Sequence, residues 1–129
     1  MRLPNHDDPS SSPKKCRKRW DLLQDLLPAR GIGAELGTFK GNFVDYLLIS
    51  RPRRLYLVDP WYRAGSRWKW ARGSDSTVEA LQDILNAFRQ EIDARVVEPR
   101  VEFSEEFLER MPDDSLDWVY LDTTHDYAS

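Results

Sequence analysis

Apolar positions along the chain alternate between helical and strand periods. Trp20, Leu23 and Leu27, with Leu22 and Leu26 beside them, lie three and four residues apart and predict a helix with one apolar stripe, starting near Cys16. Pro28 and Gly31 end it. Ile32–Leu36 is a short apolar run suited to a strand, followed at once by Gly37 and Gly41. Phe43/Leu47 and Val44/Leu48 resume helical spacing up to Ser50 and Pro52, and residues 55–58 predict a second strand closed by Asp59 and Pro60. Residues 61–75 hold Gly65, Gly73, several Arg and three Trp without a period, which predicts a long decorated loop. Ser76 with Glu79 suggests a capping box. Behind it Val78, Leu81, Leu85, Phe88 and Ile92 predict a long amphipathic helix. Residues 101–103 suggest a third strand, and Phe107, Leu108 and Met111 a brief helix ending at Pro112. Asp113, Asp114 and Ser115 are turn residues, and residues 116–121 predict a fourth strand before Asp122, Thr123, Thr124 and His125.

Helices and strands alternate throughout, which argues for an α/β protein with a mostly parallel sheet and helices on both faces. In such sheets ligands bind beyond the carboxyl ends of the strands. Candidate chemistry is therefore sought at residues 35–41, 59–61, 104–105 and 122–125.

Composition narrows the class. The chain has 129 residues, enough for one domain. Residues 1–13 are rich in Pro, Ser and Asp and have no hydrophobic period, so they are expected to form a disordered polar tail. Residues 14–129 then make the folded part. Nineteen Lys and Arg against 22 Asp and Glu give a net charge of −3, which argues against a polycation built to coat nucleic acid. A lone cysteine, Cys16, suits a reducing compartment, and a cytoplasmic location is expected. The run at residues 46–49 is far below the ~20 apolar residues of a membrane span. No apolar stretch follows the early charges, so no secretory signal is expected. Lys14, Lys15, Arg17, Lys18 and Arg19 form a basic run. Such a run is commonly the solvated start of a helix; contact with RNA or an anionic membrane surface is the alternative. These cations could also lower the Cys16 pKa.

The first strand ends Glu35-Leu36-Gly37-Thr38-Phe39-Lys40-Gly41. Glycine at a strand-to-helix turn lets a ligand lie against the main chain, and the following helix presents free amides. The spacing is not the dinucleotide pattern G-x-G-x-x-G. Glu35 would repel a phosphate and attract an ammonium group, which favours a zwitterionic or cationic ligand over NAD or ATP. Asp59 ends the second strand 22 residues after Gly37. An acid there can accept hydrogen bonds from both ribose hydroxyls. Each residue also has a plainer reading: Gly37 and Gly41 as packing glycines, Asp59 as a turn cap before Pro60, and His125 as a donor to a loop carbonyl. Trp61, Tyr62, Trp68 and Trp70 either line a ligand pocket or pack on one another.

Three ordered segments carry a family resemblance. Glu35-x-Gly37-x-x-x-Gly41, then Leu55-Tyr56-Leu57-Val58-Asp59-Pro60-Trp61, then residues 116–127 ending Asp122-Thr123-Thr124-His125-Asp126-Tyr127 resemble the class I S-adenosylmethionine-dependent methyltransferases. The resemblance is to the small-molecule branch with an Asp-x-x-His-x-Tyr-like motif after the fourth strand, and it spans residues 20–129. It implies a Rossmann-like fold, S-adenosyl-L-methionine as cofactor and a small-molecule methyl acceptor. It further implies that Glu35, Leu36, Gly37, Thr38, Gly41 and Asn42 face the methionine part of the cofactor. Asp59 would hold the ribose, Pro60 and Trp61 would lie near the adenine, and Ser104 and Glu105 would approach it from the third strand. Asp122 and His125 are the candidate general bases for a hydroxyl acceptor. Related enzymes sometimes bind Mg²⁺ at this acid, but Asp122 with Asp126 is not a complete hard-cation site, so no metal is expected. Phe39 stands where many members have a further glycine, the stretch after the third strand is reduced to Ser104-Glu105-Glu106, and Thr123 replaces a common glycine.

A complete sheet of that family is expected to have seven strands, whereas four are legible here. The chain thus resembles the cofactor-holding N-terminal portion of such an enzyme, able to bind cofactor and not to turn over alone. Its fourth strand would be an apolar edge open to a second copy. The alternatives are a non-catalytic, oligomerising half-domain and a nucleotide-binding Rossmann protein using NAD.

Overall fold

A computed structural model describes residues 13–63 and 75–121 of this protein. The elements are α1 (Pro13–Leu23), β1 (Ile32–Leu36), α2 (Val44–Ile49), β2 (Arg54–Asp59), α3 (Asp75–Ala87), α4 (Arg89–Asp93), β3 (Val97–Val101), α5 (Ser104–Arg110) and β4 (Trp118–Leu121). The strands form one sheet in the order β3-β2-β1-β4, every pair parallel. Helices cover both faces, so the architecture is α/β and Rossmann-like. The polar tail expected at the N-terminus lies outside the described residues apart from Pro13, which already opens α1.

Strand alternation sorts side chains onto two faces. Leu55, Leu57, Val97, Trp118 and Tyr120 join Cys16, Trp20, Phe43, Val44, Leu47, Ala80, Ile84 and Phe88 in the larger core. Ala34, Leu36, Val58 and Phe107 form the smaller one, under α5. Phe43 stacks on Tyr120 at 4.8 Å between ring centroids and meets Tyr46 at 5.5 Å, which seats α2 over β4. Cys16 is buried and its thiol points at the Asn42 carbonyl, 3.9 Å away. At 1% exposure the thiol has little access to redox partners in solution.

Several elements differ from the pattern. Cys16, Trp20, Leu23 and Leu27 face the core, but Leu22 and Leu26 are exposed, so the stripe of α1 is narrower than four leucines and a tryptophan suggest. The long amphipathic run is two helices: Phe88 leaves helical geometry (φ −112°, ψ 26°), and the chain redirects into α4. Thr77, Ala80, Ile84 and Phe88 face inward, whereas Val78 and Leu85 are largely exposed. The helix also begins at Asp75, so Ser76 lies inside it instead of capping it. The reach-back half of a capping box occurs at α5, where the Phe103 N–H donates to Glu106 Oε1 at 2.8 Å.

The third strand is Val97–Val101 rather than residues 101–103. Pro99 in its middle disguises it, since proline is confined to edge strands, and among the described residues β3 pairs only with β2. Glu98 bridges Arg54 and Arg100 across this edge at 2.9 and 3.0 Å. The fourth strand starts at Trp118, two residues late, because Asp117 turns back to grip β1. Its Oδ2 accepts the Ile32 N–H at 2.7 Å, and its own N–H donates to the Ile32 carbonyl at 2.7 Å. Among the described residues no helix is long and apolar enough to cross a membrane.

Candidate functional site

All four strands run parallel, so their carboxyl ends share one rim of the sheet. Asp59 sits there in register with Val101, and Leu36 pairs with both Val58 and Leu121. Glu35 pairs with Leu57, two positions before Asp59. Side chains two apart on a strand share a face, so Glu35 and Asp59 occupy diagonal positions on the same face. Both are buried.

After Leu36 the chain folds onto β2. The N–H groups of Gly37 and Thr38 both donate to the Val58 carbonyl, at 2.8 and 3.2 Å, and the Gly41 N–H closes a turn on the Thr38 carbonyl at 2.8 Å. Gly37 and Gly41 have φ of +91° and +74°, backbone open to glycine at little cost. Phe39 also lies in the left-handed region, with φ +43°, and so does Trp61, with φ +41°. Each such non-glycine residue costs about 1 kcal/mol and persists only where its surroundings hold it.

Asp59 supplies that hold. Its Oδ1 accepts the Trp61 N–H at 2.7 Å and its Oδ2 accepts the Phe39 N–H at 3.1 Å. The Trp61 indole Nε1–H donates back to the Phe39 carbonyl at 2.8 Å. One carboxylate and one indole thus clasp the glycine turn to the loop after β2, and both strained residues belong to the clasp. Burial pushes the Asp59 carboxyl up to about 7, against the two backbone N–H donors, which favour the charged form.

The loop after β2 is tied to the next strand as well. Arg63 makes two bonds to Glu106, at 2.9 and 3.1 Å, donates to the Val101 carbonyl at 3.1 Å and lies over the Phe103 ring. The guanidinium holds the Glu106 carboxyl below its ordinary range. Nearby, buried Glu102 takes Arg100 and Arg110 at 2.8 and 2.9 Å.

The expected site residues therefore divide. Glu35, Leu36, Gly37, Thr38, Gly41, Asp59, Pro60 and Trp61 come together at the β1 and β2 ends and are buried; Asn42 follows, half-buried, before α2. Trp61 is fully buried and holds the loop closed, whereas Tyr62 is 56% exposed. Asp59 is a turn cap, as its plainer reading has it, and each oxygen keeps a lone pair beyond its one N–H. Ser104 is half-buried and Glu105 exposed at the start of α5, past the end of β3. Asp122, His125, Trp68 and Trp70 lie outside the described residues. Sequence reading gave no part to the Phe39 and Trp61 backbone or to Arg63. Their signals were faint: Asp-Pro-Trp is a turn sequence, and a positive φ at phenylalanine has no sequence signature.

Fold and site together define a Rossmann-like α/β protein whose glycine turn is latched to an acid at the end of the adjacent strand. No protein-family model matches the chain, and neither does any curated protein.

Proposed function

We propose that this chain binds S-adenosyl-L-methionine and serves methyl transfer to a small-molecule acceptor, in the reducing cytoplasm that a single cysteine suits. One observation carries the reading: two buried acids stand on one face at neighbouring strand ends, with a glycine turn folded against them. The residues fit the cofactor's functional groups. Glu35 has the sign to attract an ammonium, and the free lone pairs of Asp59 suit two hydroxyl donors. Phosphate-bearing NAD would meet repulsion from both acids.

Bound there, the cofactor would supply an electrophilic methyl on a sulfonium. The chain's part is to fix that group in line with the acceptor and to exclude water, through the preformed clasp. Asp122 or His125 would take the acceptor hydroxyl proton as its oxygen forms the new bond to carbon and the sulfur keeps the old bonding pair.

Calorimetry with S-adenosylhomocysteine tests the proposal: folded protein that binds NAD instead, or binds neither, refutes it. Asp122→Ala is expected to keep this affinity, because Asp122 is assigned to the acceptor and not to the cofactor. The pH dependence is also specific. Hydroxyl donors favour ionised Asp59, whose carboxyl titrates near 7, so affinity should be flat above about pH 7 and weaken below it, towards tenfold per unit. Asp59→Asn should remove that dependence.

A second reading rests on β4. Among the described residues β4 pairs only with β1, leaving the edge on which an oligomerising half-domain would complete its sheet with another copy, and Val119 and Leu121 beside it are 42% and 63% exposed on the α5 side. Light scattering distinguishes it: a stable dimer indifferent to S-adenosylhomocysteine favours this reading.

A further inference from the structure

The face of α1 turned away from the core has its own composition. Lys15, Lys18, Arg19 and Leu22 follow helical spacing on one side, and Leu26 continues the line in the turn beyond. Leu22 and Leu26 are 77% and 72% exposed, the two most exposed large apolar side chains described. Cys16 and Trp20 hold the opposite face in the core, so the helix cannot roll to bury the leucines. The helix carries five cations against one acid, Asp21, which lies 3.4 Å from Arg17. The whole chain has a net charge of −3, so the rest of the molecule is acidic.

We propose that this face of α1 docks flat on an anionic lipid surface. Its cations would meet the headgroups, and Leu22 and Leu26 would enter the boundary with the acyl chains. A short helix with cations flanking exposed leucines fits that interface, since lysine and arginine stems lie along apolar surface while their charges stay among headgroups. Charge complementarity selects the anionic leaflet and sets orientation, because the acidic remainder is repelled from it. Nucleic acid would engage the cations but leave both leucines against water, and the aromatic ring of this helix, Trp20, is buried and cannot stack on a base. A peptide helix needs a groove with two walls. The shallow cavity of about 410 Å³ here is lined by Lys15, Lys18, Arg19, Asp21 and Leu22, all from α1 itself.

The test is co-sedimentation of the full chain with vesicles of phosphatidylcholine alone or with about one-third phosphatidylserine. Binding to the mixed vesicles only is expected. Lys15→Gln with Lys18→Gln should weaken it roughly fivefold per cation, about 25-fold for the pair. Leu22→Ser with Leu26→Ser should weaken it about tenfold with the thermal midpoint unchanged, because both side chains already face solvent. No binding to the mixed vesicles overturns the proposal. So does binding that the leucine pair leaves unchanged, or complete displacement by single-stranded RNA, either of which marks a site for polyanions in general.

Discussion

Asp59→Asn is expected to leave a folded protein whose affinity for S-adenosylhomocysteine is roughly 10–100-fold weaker, the loss of charge-assisted bonds worth about 1.5–3 kcal/mol. The substitution keeps the side chain's shape and one acceptor, so either Phe39 or Trp61 retains its bond. Asp59→Ala goes further. It strands both N–H groups, at about 1–3 kcal/mol each, while removing a carboxylate that is costly to bury. A net loss of about 2 kcal/mol is expected, accompanied by an unlatched glycine turn. The pH dependence separates these effects. Because the folded carboxyl titrates near 7, above its ordinary 3.8, the native state is favoured below pH 3.8 and loses that advantage as pH rises through about 7. In chemical denaturation the stability of wild type relative to Asp59→Asn should therefore fall between pH 4 and pH 7. A constant difference would show that the carboxylate is not desolvated as its burial implies.

Gly33→Ala should produce the largest loss of stability. Gly33 lies opposite Trp118 in the β1–β4 register, and a Cβ there would sit 2.1 Å from the Trp118 ring. The ring must leave, which opens the sheet between its central strand and β4. A destabilisation of about 3 kcal/mol is expected, at the upper end of overpacking costs. Trp118 supplies the check. Its buried indole N–H has no hydrogen-bond partner among the described residues, so Trp118→Phe relieves an unsatisfied donor while giving up part of the ring. Gly33→Ala should cost distinctly less in the Trp118→Phe background. Equal costs in both would show that the contact is not the source of the loss.

The two substitutions mark how far sequence reading reaches. β1 was legible to the residue because its apolar run is bounded by Gly31 and Gly37, and α2 because Phe43, Val44, Leu47 and Leu48 repeat at one helical period. The glycine turn and Asp59 were legible as neighbours in the site, since alternating strands and helices put successive strand ends on one rim. β3 was misplaced because Pro99 breaks the local pattern; only an edge position makes that proline acceptable. Leu22, Leu26, Val78 and Leu85 look like core in sequence because periodicity locates a stripe only to within a residue or so on either side. Which edge of the stripe meets the sheet depends on how each helix docks.

By itself, the sequence determined the alternation of helix and strand, the parallel α/β class and the acids and glycines at the strand ends, because each follows from neighbours a few residues apart. The tertiary structure alone decided that Asp59 spends a bond on each of Phe39 and Trp61, that Gly33 must be bare beneath Trp118, and that two leucines of the first helix face outward. Asp59 reaches back 20 positions to Phe39, Gly33 lies 85 positions from Trp118, and the leucines depend on which side of a helix is covered. No local period encodes them; they follow from packing the whole sheet.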